Sequence, residues 1–454
     1  AWTGVAWPGA PPPGVPRRAD AATVACLFVV TLMLIPARMI IRGLPIALSV
    51  ANVLALVAAL LWLCSQLTRT LGAAKGRNPV RTALFCYALS AAAAYGYATY
   101  GYLPSDEINM ADHAIVLVLA NVGIALAVCD GVRALDRLDL VLRTVVVAGA
   151  LMALVGALQF LFNLDLTRYL ALPGLRFAIE DQFVFSRNAL RRVAGTAAHP
   201  IEFGVVCAMI LPLAAHYGLR ARELGRPAWR WWLCAALIGS GLMFSVSRSA
   251  VLGLAGAGAV VMLGWPARRR LRALLVMGGF LAVIKVLAPG LLGTIFGLFE
   301  NFFNDSSIGY RTHDYGLAAA EIARHPWLGR GMGTWYAPKY QVFDNQYIQS
   351  AIDTGLIGVA AFLGMFACAF VCGLRARRLS SDQGVRELGL TLSACLVVPV
   401  LGAATFDLLS FAMVSGLTFL LAGATGALLR IAEDGPGAAQ SPLQVSGRTI
   451  EVTR

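Results

Sequence analysis

The chain has 454 residues, 58% of them hydrophobic and 13% charged; a soluble domain is about half apolar and about a quarter charged, so a soluble globular fold is excluded. The formal net charge is +13, which on a soluble protein would point to nucleic acid. Here the arginines fall between long apolar runs, where the cytoplasmic loops of membrane proteins carry them, and no nucleic-acid partner is expected.

Residues 1–20 are proline-rich and read as a disordered cytoplasmic tail closed by Arg17 and Arg18. Further apolar runs follow, so no cleavable signal is expected. Runs long enough to cross a bilayer are expected at 21–37, 44–64, 82–101, 112–129, 144–163, 201–217, 230–246, 249–265, 273–290, 351–373, 388–406 and 409–429. They are continuous rather than alternating, which selects helices over a barrel. The expected fold class is all-α: a polytopic integral membrane protein of about twelve transmembrane helices across 21–430, followed by a cytoplasmic tail at 431–454. The nine cysteines lie in or near apolar runs and imply neither a disulfide framework nor a zinc cluster.

The connecting segments alternate in charge. Arg69, Lys75, Arg77 and Arg81 fall on one side, as do Arg133, Arg137 and Arg143, the groups Arg220–Arg230 and Arg268–Arg272, and Arg375–Arg386; that side is cytoplasmic by the positive-inside rule. Arg38 and Arg42 run against this order, which means that they snorkel to the headgroups or that the first two spans are misplaced. Two long loops, 164–200 and 291–350, are expected outside. In the second, YRTHDYGLAAAEIARHPWLG reads as a helix capped by Asp305 or Ser306 and stopped near Pro326 and Gly329.

External arginines oppose the topogenic preference and are the informative ones. They are Arg168, Arg176, Arg187, Arg191 and Arg192 in the first loop, Arg248 in the turn FSVSRSA, and Arg311, Arg324, Arg330 and Lys339 in the second. Guanidinium suits phosphate oxygens through paired hydrogen bonds; the plain alternative is that most are solvated or paired with Asp165, Glu180, Asp181 or Glu321. In RRVAGTAAHPIEFG, Gly195 allows a close turn, Thr196 or a neighbour caps the next span and Pro200 opens it. With Arg191, Arg192 and His199 there, this helix start is a candidate anion site. Arg311, with His313, Asp314 and Tyr315 beside it, forms another. In VFDNQYIQSAIDTG, Asp344 or Asn345 caps the tenth span; alternatively Asp344 accepts a proton from a sugar hydroxyl while Asn345 and Gln346 orient a sugar. The outer loops contain no acidic cluster of the kind that holds a metal-bound diphosphate, so arginine must bind any phosphate.

Four segments in this order, RRVAGTAAHPIEFG, SVSRSA, YRTHDYGLAAAEIARHPWLGRGMGTW and DNQYIQSAIDTGLIG, resemble the O-antigen ligase and O-antigen polymerase superfamily of membrane glycosyltransferases. The resemblance implies a GT-C-like enzyme of the bacterial cytoplasmic membrane with its active site on the extracytoplasmic face. It implies transfer or polymerisation of a glycan from a polyprenyl diphosphate-linked donor onto a glycan or lipid acceptor, without metal or other cofactor. Arg192 and Arg311 match the arginines that grip the diphosphate, with Asp344 as catalytic partner and Arg191, His199, Arg248, His313, Tyr315, Asn345 and Gln346 as candidate substrate contacts. The ligase branch carries a histidine in the segment matching DNQY; Asp344 and Asn345 stand there instead, which tilts the expectation toward a polymerase. A transporter or flippase of lipid-linked glycans is the competing reading, although transporters place polar groups near the membrane midplane and here they gather outside.

Overall fold

In the computed structural model, which describes residues 20–68, 73–178, 185–187, 190–288, 290–300, 306–337, 339–341 and 343–435, each of the apolar runs becomes a helix. In chain order these are α1 (Ala21–Leu34), α2 (Val50–Leu67), α3 (Pro79–Tyr100), α4 (Ser105–Gly131), α5 (Leu135–Phe162), α6 (Pro200–Glu223), α7 (Trp229–Phe244), α8 (Arg248–Gly264) and α9 (Ala267–Leu287). Two loop helices follow, α10 (Leu291–Glu300) and α11 (Ser306–Arg324), and then α12 (Gln346–Leu379), α13 (Gln383–Ala403) and α14 (Ala412–Glu433). Seven of these, α2, α4, α5, α6, α12, α13 and α14, are long and apolar enough to cross a membrane by length and composition, and α9 with the start of α10, bent by 111°, adds an eighth if the pair is one span. The chain is thus an all-α polytopic membrane protein. The N-terminal tail to residue 19, Arg69, Glu180, Asp181, Asp305 and the tail from residue 436 lie outside the described residues.

Local chemistry sets the helix starts. Ser49 caps α2, Asn78 caps α3 with Pro79 behind it, and Asp382 caps α13, each accepting a backbone N–H of the first turn. The core is built around α14, which packs against α4, α12, α13, α3, α1 and α6. Gly416, Gly423 and Gly426 face Phe28, the backbone of Ala125 and Cys129 at distances that leave no room for a side chain, the close approach that small residues permit in membrane bundles.

The two ends of the bundle differ in chemistry. At one end Arg137 pairs with Asp20 (2.5 Å), Arg81 with Asp130 (3.2 Å), Arg269 with Glu387 (3.1 Å), Arg375 with Glu433 (3.0 Å) and Arg220 with Asp382 (3.8 Å). Arg430 donates to the carbonyls of Cys129 and Val132, which finish α4. These are the starts of α1, α3, α5, α9 and α13 and the finishes of α4, α6, α12 and α14, so the alternating arginine loops meet at one end.

The opposite end carries the two long loops. Strand β1 (Met39–Ile41) pairs antiparallel with β2 (Leu175–Phe177), and β3 (Phe185–Arg187) with β4 (Leu190–Arg192), so the first loop is stitched to the turn between α1 and α2. Arg38 is tied to the first long loop: its Nε and Nη2 donate to the carbonyl of Ala198 at 3.1 and 2.6 Å, and α2 begins only at Val50. The second loop is clamped onto α4. Arg330 donates to both oxygens of Glu107 at 3.0 Å and to the Tyr340 hydroxyl at 2.6 Å, and Lys339 reaches Glu107 at 2.8 Å and Asp106 at 2.7 Å.

The clamp continues into α12, which is broken at Gly355 (φ +66°). There Leu356 and Ile357 donate to the carbonyls of Pro326 and Trp327, while Arg330 and Gly331 donate to those of Ile352 and Asp353. Helical bonds lost at the break are replaced by bonds to the loop.

Candidate active site

The site begins at the turn before α6. Gly195 sits at φ +58°, where a Cβ would meet the carbonyl oxygen of Met152 at 2.9 Å, so only glycine fits. The side chain of Gln159 brackets it, accepting the Gly195 N–H at 2.8 Å and donating to its carbonyl at 3.0 Å. Gln159 also donates to Asp165, which accepts from Thr167. Thr196 does not cap α6; its hydroxyl is turned to the carbonyl of Met33 at the end of α1. The cap is His199, whose Nδ1 accepts the Ile201 N–H at 3.2 Å. Burial, and then the charges of Arg192 and Arg38, push the His199 imidazole down to about 4. The ring is therefore neutral at neutral pH, and since Nδ1 accepts, its proton is on Nε2.

Arg192 leaves strand β4 and its Nε donates to the carbonyl of Ser245 at 3.2 Å, tying the first loop to the turn between α7 and α8. In that turn Val246 adopts φ +47° although it is β-branched and fully buried, an unusual conformation for such a residue. Ser247 caps α8 by accepting the Ala250 N–H, and Arg248 is the first residue of that helix. Arg192 thus reaches the turn that leads into Arg248.

The connection between α13 and α14, residues 404–411, ties these helix starts together. The Thr405 hydroxyl bonds to that of Ser249 at 2.8 Å, next to Arg248. Phe411 lies against the ring of His199, with centroids 6.0 Å apart. Glu202, fully buried in the first turn of α6, accepts the Ala198 N–H with one carboxylate oxygen and the N–H groups of Met413 and Val414 with the other, capping the start of α14 from a distance.

The same connection holds the start of α12. Asn345 donates to the carbonyl of Ala404 at 3.3 Å, the Gln346 N–H donates to the carbonyl of Phe406 at 3.2 Å, and the Leu409 N–H donates to the Gln346 side chain at 2.7 Å. Asn345 is the α12 cap, accepting from Tyr347 and Ile348. The amides of Asn345 and Gln346, expected to orient a sugar, are engaged in holding α12 and the turn. Asp344 is exposed just ahead of them and lies beside Asp407, whose carboxyl is pushed up by burial and by the charge of Asp344.

Of the residues expected from sequence, Arg192, His199, Arg248, Asp344, Asn345 and Gln346 share this cluster. Arg311, His313 and Tyr315 fall on α11; Tyr315 is exposed, while the side chains of Arg311 and His313, and that of Arg191, lie outside the described residues. Among the other loop arginines, Arg168 pairs with Asp165 and Arg324 with Glu321, as the plain alternative expects, while Arg330 pairs with Glu107 of α4, a partner not foreseen. Sequence reasoning did not place Arg38 and Asp407 in the site. The anomalous position of Arg38 under the positive-inside rule was the signal; Asp407 gave none beyond a charge next to an apolar run.

Residues 233–363 match the model of the family described as O-antigen ligase, a stretch that takes in Arg248, Arg311, Asp344, Asn345 and Gln346 and leaves Arg192 and His199 ahead of it. No curated protein matches the chain. Residues 233–363 are therefore similar to the O-antigen ligase family over this stretch of the chain.

Proposed function

We propose that this protein transfers or polymerises a glycan from a polyprenyl diphosphate-linked donor onto a glycan or lipid acceptor, at the extracytoplasmic face of a bacterial cytoplasmic membrane that it crosses about twelve times. The observation that supports the reading is the contact of Arg192 with the turn that leads into Arg248, at the edge of a stretch similar to the O-antigen ligase family. Arg192, Arg248 and Arg311 hold the diphosphate and stabilise the negative charge that develops on it as the anomeric bond breaks. Neutral His199 donates from Nε2. Asp344, exposed at the start of α12, faces the acceptor, as base or as orienting group. Arginines take the part that a divalent cation plays elsewhere. The absence of a histidine at Asp344–Tyr347 favours polymerisation; the description of the matched family keeps a lipid acceptor as the second reading. The test is transfer by the purified protein in detergent, from lipid-linked glycan extracted from the cells that make it. Product in detergent supports a transferase; movement of glycan only across a sealed bilayer, with no new glycosidic bond, identifies a flippase and overturns the reading.

A further inference from the structure

Among the described residues, the turn 404–411 touches the starts of four helices: α8 through Thr405 and Ser249, α12 through Ala404, Phe406 and Leu409, α6 through Phe411 and His199, and α14, which it opens. Asp407 lies in the middle of this turn. It is half-buried and followed by a short 3-10 turn, Leu408–Ser410, whose last N–H donates to the Asp407 carbonyl at 3.1 Å. Lacing residues 345 and 346 to residues 404, 406 and 409 sets Asp344 beside Asp407 from the other side.

Resting on the transferase reading above, we propose that Asp407 is the catalytic base and that Asp344 orients the acceptor hydroxyl toward it. In the step, the acceptor oxygen bonds to the anomeric carbon while the bond from that carbon to the diphosphate oxygen breaks. The diphosphate leaves with the electron pair, and the hydroxyl proton passes to a carboxylate oxygen of Asp407. The two carboxylates are suited to different parts. Asp344 is exposed at the start of α12, open to an acceptor from outside. Asp407 is desolvated, and burial first and the Asp344 charge second raise its carboxyl, with the Ser410 side chain opposing. A carboxylate whose acid strength is lowered in this way is a better proton acceptor. The charged groups on the elements packed around this turn are His199, which lies against Phe411, and Glu202, which accepts from Met413 and Val414 at the start of α14, both on α6; Arg248 on α8, beside the Ser249 that bonds Thr405; and, on the loops, Arg38 and Arg192, which bind Ala198 and Ser245.

The experiment measures the pH dependence of kcat/KM for transfer to acceptor, alongside binding of polyprenyl diphosphate to the full-length protein. Asp407→Asn lowers kcat by about 10²-fold or more and leaves polyprenyl diphosphate binding unchanged. Asp407→Glu restores part of the rate. Asp344→Asn removes a negative neighbour, so the acid limb of the profile moves to lower pH and acceptor KM rises. Ser410→Ala removes the opposing group, so the limb moves to higher pH. Asp407→Asn with wild-type kcat overturns the inference. If that variant fails to insert, the other two decide: an acid limb unmoved in both Asp344→Asn and Ser410→Ala overturns it. Wild-type protein that makes no product overturns the transferase reading and the inference with it, whereas an active wild type with an unmoved limb overturns the inference alone.

Discussion

Arg192 and Arg311 are the residues on which the diphosphate reading depends most directly. Arg192→Ala and Arg311→Ala each abolish transfer while the protein remains folded and inserted, and Arg311→Lys restores only part of the rate, because a point charge cannot reproduce the planar fork. Product yield from membranes with matched protein levels checks this; near-normal product from either alanine variant removes that arginine from the mechanism. Activity survives chelation of divalent ions, and a strict requirement for added magnesium would overturn the substitution of arginine for metal. At single-residue scale the sequence left the helix caps open between neighbours. At the start of α6 a threonine, and at the start of α12 an aspartate or an asparagine, were equally good caps by composition. His199 took the first position and Asn345 the second, because Thr196 is drawn to the Met33 carbonyl and Asp344 lies one residue too early. A cap is chosen by tertiary partners that a local sequence window does not contain. The strained backbone at Val246, of order 1–3 kcal/mol for such a conformation, is likewise invisible in FSVSRSA, although it delivers Arg248 to the head of α8.

At the scale of elements, the helices were legible because lipid demands long uninterrupted apolar runs, and the loop helix at Ser306–Arg324 because its proline and glycine stops are explicit. The break inside α12 was not, since Gly355 in AIDTGLIG is indistinguishable from a packing glycine. A Cβ at Gly355 would meet the Trp327 carbonyl oxygen at 2.2 Å, and the backbone conformation disfavours any side chain. Gly355→Ala is therefore expected to cost more than about 2 kcal/mol and to release the loop at residues 326–331, which thermal unfolding in detergent and protease sensitivity of that loop both read. The clamp on α4 gives a second test. Glu107 is 1% exposed, so Arg330→Ala strips a buried carboxylate of its main partner; with Lys339 still in reach, the loss falls toward the lower end of the about 3–5 kcal/mol typical of broken buried pairs. Double substitution of Arg330 and Glu107 by apolar residues recovers part of that loss. No recovery would mean that the clamp acts through Tyr340 and the backbone instead.

For the molecule as a whole, the alternation of arginine-rich connections anticipated which helix ends lie together, because topogenic charge is a property of the chain read segment by segment. What it did not anticipate is which helix occupies the middle. The proposed sidedness has residues 164–200 and 291–350 outside and the arginine end inside. Single cysteines placed at Ser306 and Ser380 in a cysteine-free background should react with an impermeant maleimide from opposite sides of the membrane; labelling of both from one side would sink this orientation.

The central position of α14 bears on how the protein is made. Across its apolar window 94% of α14 is buried, yet it is translated after every helix that surrounds it. Until it arrives, the ribosome has released a ring without a hub. Asp130 then lacks Arg430, and Glu202 has no Met413 or Val414 N–H groups to accept. Two acids that are buried in the finished protein then lack part of their hydrogen-bonding shell, and an unpaired buried carboxylate is costly. Docking of α14 is therefore expected to come late and to complete the packing of the bundle. A chain stopped after residue 405 should therefore insert its earlier spans and yet be cleared by membrane proteases, while co-expression of residues 404–454 as a separate piece should rescue it. Survival of the truncated chain on its own would show that the ring closes without its hub.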